Sequence, residues 1–144
     1  MSWVDDIERD FKQMLDEANG DLEVLNRLTK ERSEKAHAYN IEWERQFEIL
    51  MGFQNGGADL ERKGRLEDAV AEYRKAVDYG KNSDLFQINN YYHSYERLAV
   101  LYRKLKMYAK EVGIIREALS EELQSKERNK MLNRLEKAKK LLGI

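Results

Sequence analysis

An all-α fold is the first expectation for this 144-residue chain, and three observations carry it. Apolar residues recur every three or four positions along nearly the whole length, which marks one face of a 3.6-residue helix. Proline is absent, whereas average usage would place about seven in a chain of this size. Helix interiors exclude proline because it lacks the N–H and clashes with the preceding turn. No segment alternates apolar and polar residues for long enough to read as a strand.

The elements follow in order. Ser2 can cap a first helix whose face is Val4, Ile7, Phe11 and Leu15, with acids in its first turn. Asn19-Gly20 ends it in the usual way. Asp21 can cap a second helix carrying Val24, Leu25 and Leu28, and the polar run Thr29 to Lys35 predicts a break. A third stripe runs through Ala36, Tyr39, Trp43, Phe47, Leu50 and Met51, continues past Asn55-Gly56-Gly57 to Leu60, and stops at Lys63-Gly64. Leu66, Ala69, Val70, Tyr73, Ala76 and Val77 form a fourth helix ending at Tyr79-Gly80. Ser83 or Asp84 can cap a fifth, bearing Leu85, Ile88, Tyr92, Tyr95, Leu98, Ala99, Leu101 and Tyr102. After a break at Lys104–Lys106 a sixth carries Tyr108, Val112, Ile115, Ala118 and Leu119. Ser125 can cap a seventh, with Met131, Leu132, Leu135, Ala138 and Leu142.

Length fits a single domain over 1–144. Composition is 42% hydrophobic and 37% charged, against a usual quarter or so charged, which points to thin amphipathic layers. The net charge of −1 argues against general attraction to nucleic acid. The charge is unevenly spread: residues 1–24 carry eight acids and two bases, a net of −6, while residues 126–144 carry seven bases and two acids, a net of +5. Solvated helix faces would explain both ends, and so would attraction between them, within a chain or between chains. Cysteine is absent, so no disulfide or thiolate chemistry is expected. The opening residues lack the basic and apolar regions of a leader, and no apolar run is long enough to span a bilayer. A cytoplasmic protein with no membrane partner is expected.

An internal repeat refines the reading. Offset by 42 residues, Phe53 falls on Tyr95, Leu60 on Tyr102, Arg62 on Lys104, Leu66 on Tyr108, Val70 on Val112, Arg74 on Arg116 and Ala76 on Ala118. The repeated unit is a helix, a tight turn and a second helix. The first copy sets a large aromatic (Phe53), Gly56-Gly57, Leu60, an inter-helix Gly64, then Ala69, Tyr73 and Ala76. In this it resembles the tetratricopeptide repeat (TPR), with its aromatic, Leu-Gly, Tyr and later alanines. The second copy keeps Tyr95, Leu98, Ala99, Tyr102 and Ala118, but Glu111 stands for a small residue, Lys106 for the turn glycine, and the terminal proline is missing from both. Spacing is 42 rather than the family's 34 residues. The extra eight fall near Asp84–Tyr91 and would add about 12 Å of helix.

The resemblance implies antiparallel helical hairpins stacked as a short right-handed solenoid of about seven helices. Residues 1–49 would form a capping or degenerate unit, 50–82 the first repeat, 83–121 the second with a longer first helix, and 125–144 a C-terminal capping helix. It also implies that Gly57 sits where two helices pack closely, which would offset its propensity cost of roughly 1 kcal/mol.

Enzyme signatures are missing. There is no phosphate-binding Gly-x₄-Gly-Lys-Ser/Thr loop, and the two histidines, His37 and His93, belong to no His-Glu-x-x-His pattern. His93 and Glu96 share a helical face but lack the further ligands a metal needs. No catalytic, cofactor or metal residue is therefore assigned, and no cofactor is expected. Of the adjacent pair Tyr91-Tyr92, only one can face a core on a helix.

What the resemblance implies instead is a binding module for another protein or peptide, with the first helix of each repeat lining a concave face. Its outward positions would be Met51, Gln54, Ala58, Glu61 and Arg62, then His93, Glu96, Arg97, Val100, Arg103 and Lys104. The family's clamp for chaperone C-termini needs Lys and Asn where Gln54 and Ala58 stand, so chaperone binding is not expected. Arg97, Arg103 and Lys104 would favour an acidic or C-terminal peptide through charge-assisted hydrogen bonds. Self-association through apolar ends and charged termini is the second reading. Nucleic-acid binding through the basic last helix is the third.

Overall fold

The computed structural model describes residues 3–144, with Trp3 described by its backbone alone, so the proposed Ser2 cap lies outside the described residues. These form six helices: α1 (Trp3–Ala18), α2 (Leu22–Arg62), α3 (Leu66–Asn82), α4 (Ile88–Lys104), α5 (Tyr108–Leu119) and α6 (Ser125–Leu142). No strand occurs among the described residues. None of these helices is long and apolar enough to cross a membrane.

Six helices replace the expected seven because the polar run Thr29–Lys35 does not break the chain. It holds no glycine, and Lys, Glu and Arg are good helix formers. The Thr29 hydroxyl donates back to the Leu25 carbonyl at 2.8 Å, so it serves the helix it sits on. The second and third expected helices are therefore one helix of 41 residues.

The chain divides into two compact units, Met1–Arg45 and Gln46–Ile144, with α2 contributing to both. In the first, Asn19 (φ 43°) and Gly20 (φ 82°) take the left-handed conformation that reverses the chain after α1. Asp21 caps α2, its Oδ1 accepting from the N–H groups of Glu23 (2.9 Å) and Val24 (3.2 Å). Arg32 donates to the Ile7 carbonyl at 2.9 Å and lies 5.1 Å from the centre of the Phe11 ring. Met14 and Ala18 are the buried apolar side chains here; Val4, Phe11 and Leu15, expected on the core stripe, are exposed.

In the second unit each helix packs on the next. Phe53 meets Tyr79 edge-on (6.0 Å between centroids) and Glu61 meets Tyr73, so the end of α2 and α3 run antiparallel. Tyr95 meeting Glu117 and Arg103 meeting Glu111 set α4 and α5 antiparallel as well. Alternate helices lie side by side in the same direction: Gln54 bonds Ser94 and Glu61 bonds Arg97 across α2 and α4, and Glu96 bonds Lys130 across α4 and α6. Glu117 likewise ties α5 to Arg74 and Lys81 of α3. Two layers result, one of α2, α4 and α6, the other of α3 and α5. Between them lie Leu50, Tyr73, Val77, Tyr95, Leu98, Leu101, Ile115 and Met131, all fully buried. Each larger apolar side chain so buried contributes about 1.5–3 kcal/mol.

Small residues let the layers approach. Ala69, Ala76 and Ala118 are fully buried, as expected. Gly57 lies inside α2, and a Cβ there would come within 2.9 Å of the Tyr73 ring. Gly80 was expected to end α3 but lies within it, because the helix runs on to Asn82 and Gly80 makes room for the Tyr91 ring. Residues 83–87 are not helical, so the added length before Tyr91 is partly loop, pinned by the buried Phe86. Instead of Ser83 or Asp84, Gln87 precedes α4, its N–H donating to Asn90 Oδ1 at 2.9 Å. Likewise Gln124, not Ser125, is the residue before α6.

Candidate interaction face

The layer of α2, α4 and α6 carries most of the residues expected to bind a partner. Its centre is Glu61, which accepts from the Tyr73 hydroxyl (2.6 Å), from Arg97 Nε (3.1 Å) and from the terminal guanidinium nitrogen of Arg97. Burial alone would raise the Glu61 pKa, but the bonds from Arg97 and Tyr73 outweigh it and hold the carboxyl below the usual glutamate range. The same contact raises the Arg97 pKa, so the pair is charged throughout the ordinary pH range. Burial, followed by the bond to Glu61, pushes the Tyr73 phenol well up. His93 lies exposed beside this group, edge-on to Tyr73 at 6.3 Å.

Around that centre the expected residues divide. Met51 and Val100 are half-buried, and Arg62 and Lys104 are exposed. Arg62 reaches Asp59 at 3.4 Å, and Asp59 is held down chiefly by Lys63. Gln54 is buried: its Oε1 accepts from Ser94 at 3.0 Å and its Nε2 reaches the Met51 sulfur at 3.4 Å. It joins two helices and does not present a side chain to solvent.

Arg103 is also turned to structural use. Its Nε donates to both oxygens of Glu111 (2.7 and 2.9 Å), a carboxylate only 1% exposed, and its terminal nitrogen reaches the Arg134 carbonyl at 3.4 Å. An unpaired carboxylate at that depth would be costly, so the arginine must stay. Arg97, Arg103 and Lys104, expected as three cations awaiting an acid, thus part company: Arg97 is held by Glu61 and Arg103 by Glu111, while Lys104 is exposed and acts on Glu61 through its charge. Cations on α6 complete the face: Lys130 bonds Glu96 at 3.1 Å, with Arg134 at 4.0 Å from the same carboxylate.

On the other layer Glu117 gathers Arg74 (2.8 Å), Lys81 (3.3 Å) and the Tyr95 hydroxyl (3.1 Å). Burial would raise its pKa, but Arg74 and then Lys81 bring it below the ordinary value. Nothing in the sequence separates Glu117 from the other acids; Glu111 stands out only as the acid in place of the repeat's small residue, and the fold alone gives it Arg103. Of the tyrosine pair, Tyr91 is buried and donates to Glu121 at 2.6 Å. Tyr92 is half-buried, lining a cavity of about 120 Å³ with Ile88, Asn89, Leu123, Gln124 and Glu127. Burial, with Glu96 and Glu127 nearby, pushes its phenol up to about 12.

Compared with known proteins, the chain matches no family model, no curated protein and no solved structure.

Proposed function

We infer that this protein is a non-catalytic scaffold of tetratricopeptide type, its hairpins stacked as a short right-handed solenoid, and that it binds an acidic segment of another protein. The observation that carries the reading is the side-by-side, same-direction packing of α2, α4 and α6 through Gln54–Ser94, Glu61–Arg97 and Glu96–Lys130. That packing makes one continuous face from the first helix of each hairpin. Supporting it are the 42-residue repeat, the buried alanines and Gly57 against Tyr73.

On this face Arg97, Arg62 and Lys130 are answered by Glu61, Asp59 and Glu96. Exposed Lys104 and half-buried Arg134 remain in excess. An acidic segment laid along the face would meet that surplus without displacing the pairs that hold the helices together. Arg62→Glu with Lys104→Glu tests the reading, since both side chains are exposed. The double variant should lose the protein partner that wild type captures from the native host, with the helical spectrum unchanged. Retention of that partner at wild-type affinity would place binding elsewhere.

A further inference from the structure

Helix α1 is amphipathic but poorly covered. Val4, Phe11 and Leu15 fall within about 40° of one another around the helix, yet remain 55%, 44% and 45% exposed. In the unit Met1–Arg45 the buried side chains, among the described residues, are Met14 and Ala18. A hairpin of this size has too little core to be stable by itself, and small units usually complete their packing through a partner.

The charge around that stripe indicates what the partner carries. Along Trp3–Ala18 there are six acids and two bases, a net of −4. Along Ser125–Leu142 there are seven bases and two acids, a net of +5. The helices have 16 and 18 residues, or about 24 and 27 Å, so either can lie along the other for its full length. Helix α6 also exposes apolar side chains, Leu132 at 43% and Leu142 at 38%.

We propose that the partner is a second copy of this chain, whose basic α6 packs against the acidic, apolar-striped α1. Each copy carries one patch of each kind, so the contact joins unlike surfaces and can be passed from copy to copy. Opposite charges steer the two helices together, and the leucines of α6 cover Val4, Phe11 and Leu15. High salt weakens the assembly because the charges lie at the surface.

Charge reversal in two sets of variants tests the proposal. Glu8→Lys with Asp16→Lys brings α1 from a net of −4 to zero; Lys137→Glu with Lys140→Glu removes most of the basic character of α6. Light scattering on the eluting full-length chain should give more than the 17.1 kDa monomer for wild type. Each variant alone should associate on the order of tenfold more weakly. Mixing the two in equal amounts should restore assembly, because the basic α6 of the first meets the acidic α1 of the second. Restoration would also show that both variants are folded. A strictly monomeric wild type overturns the proposal. So does association of either variant at wild-type strength, or a mixture no better than its components.

Discussion

Gly64 and Lys106, 42 residues apart, occupy the same left-handed turn, with φ of 74° and 59°. The bonds around them correspond one for one. Arg65 N–H donates to Leu60 O (2.9 Å) and Ala69 N–H to Arg65 O (3.0 Å); Met107 N–H donates to Tyr102 O (2.8 Å) and Glu111 N–H to Met107 O (3.0 Å). The second copy keeps the turn although it has lost the glycine that makes the turn easy. Neighbouring helices impose the conformation on a residue that resists it.

Lys106→Gly should therefore stabilise the protein. A side-chain-bearing residue in the left-handed region costs roughly 1–2 kcal/mol, and the greater freedom of glycine in the unfolded chain returns about 0.5–1 kcal/mol of that. A net gain of up to about 1 kcal/mol would raise the melting temperature by a few degrees. A lowered midpoint in thermal denaturation would mean that Lys106 makes compensating contacts.

The helical glycines separate by what a methyl group would meet. Gly52→Ala adds a Cβ into open space and should stabilise by about 0.5–1 kcal/mol. Gly57→Ala drives a methyl to 2.9 Å from the Tyr73 ring and Gly80→Ala drives one into Tyr91 at its Cβ, Cγ and Cδ1. Overpacking of this kind costs about 1–3 kcal/mol. Gly80→Ala should be the worse, because the atoms it meets lie next to the α4 backbone and cannot swing aside. Urea denaturation of the three variants should give one rise and two falls in midpoint.

Those glycines also mark the limit of what the sequence could tell. Periodicity located α3, α5 and α6 and the turn at Lys104–Lys106, because each has a dense apolar stripe and a clear stop. It could not distinguish Gly64, which ends a helix, from Gly80, which admits a ring from another helix, since both are a glycine after an apolar run. The polar run Thr29–Lys35 read as a break because it lacks a stripe, although nothing in it opposes a helix. Candidate site residues were harder still. Arg97 and Lys104 share a helix face and Arg103 lies about 120° around from Arg97, but whether each cation is answered depends on Glu61 and Glu111, and those pairings exist only once α2, α4 and α5 have packed.

Arg103→Met should cost about 3 kcal/mol, because Glu111 is left without its cation and only 1% exposed. The value sits at the low end of the range for such losses since Arg103 itself keeps 31% of its side chain exposed. Glu111→Ala, which restores the small residue that the repeat pattern expects, should recover much of the loss when combined with Arg103→Met. A double-mutant cycle from chemical denaturation checks this. Additive single effects would show that the two side chains are not coupled.

Stability should be level across the neutral range and fall at both extremes, for separate reasons. Glu61 and Glu117 have folded pKa values below the ordinary 4.5. A carboxyl depressed by folding contributes stability above its unfolded pKa, and loses it as pH falls through the folded one. The acid decline should therefore begin near pH 4.5, and Glu61→Gln should make it shallower because glutamine does not titrate. Tyr73, Tyr91 and Tyr95 are shifted the other way, upward from 10.0, chiefly by burial. Their unfolded forms ionise first, so the stability they confer is intact below pH 10 and lost above it. Tyr73→Phe removes one of these groups but also leaves Glu61 with one donor fewer, only Arg97 remaining, so it should lower the plateau while making the alkaline decline shallower. Denaturant midpoints measured from pH 3 to 11 on wild type and both variants would separate these effects. An acid limb of Glu61→Gln as steep as that of wild type would mean that Glu61 does not stabilise the fold through its charge.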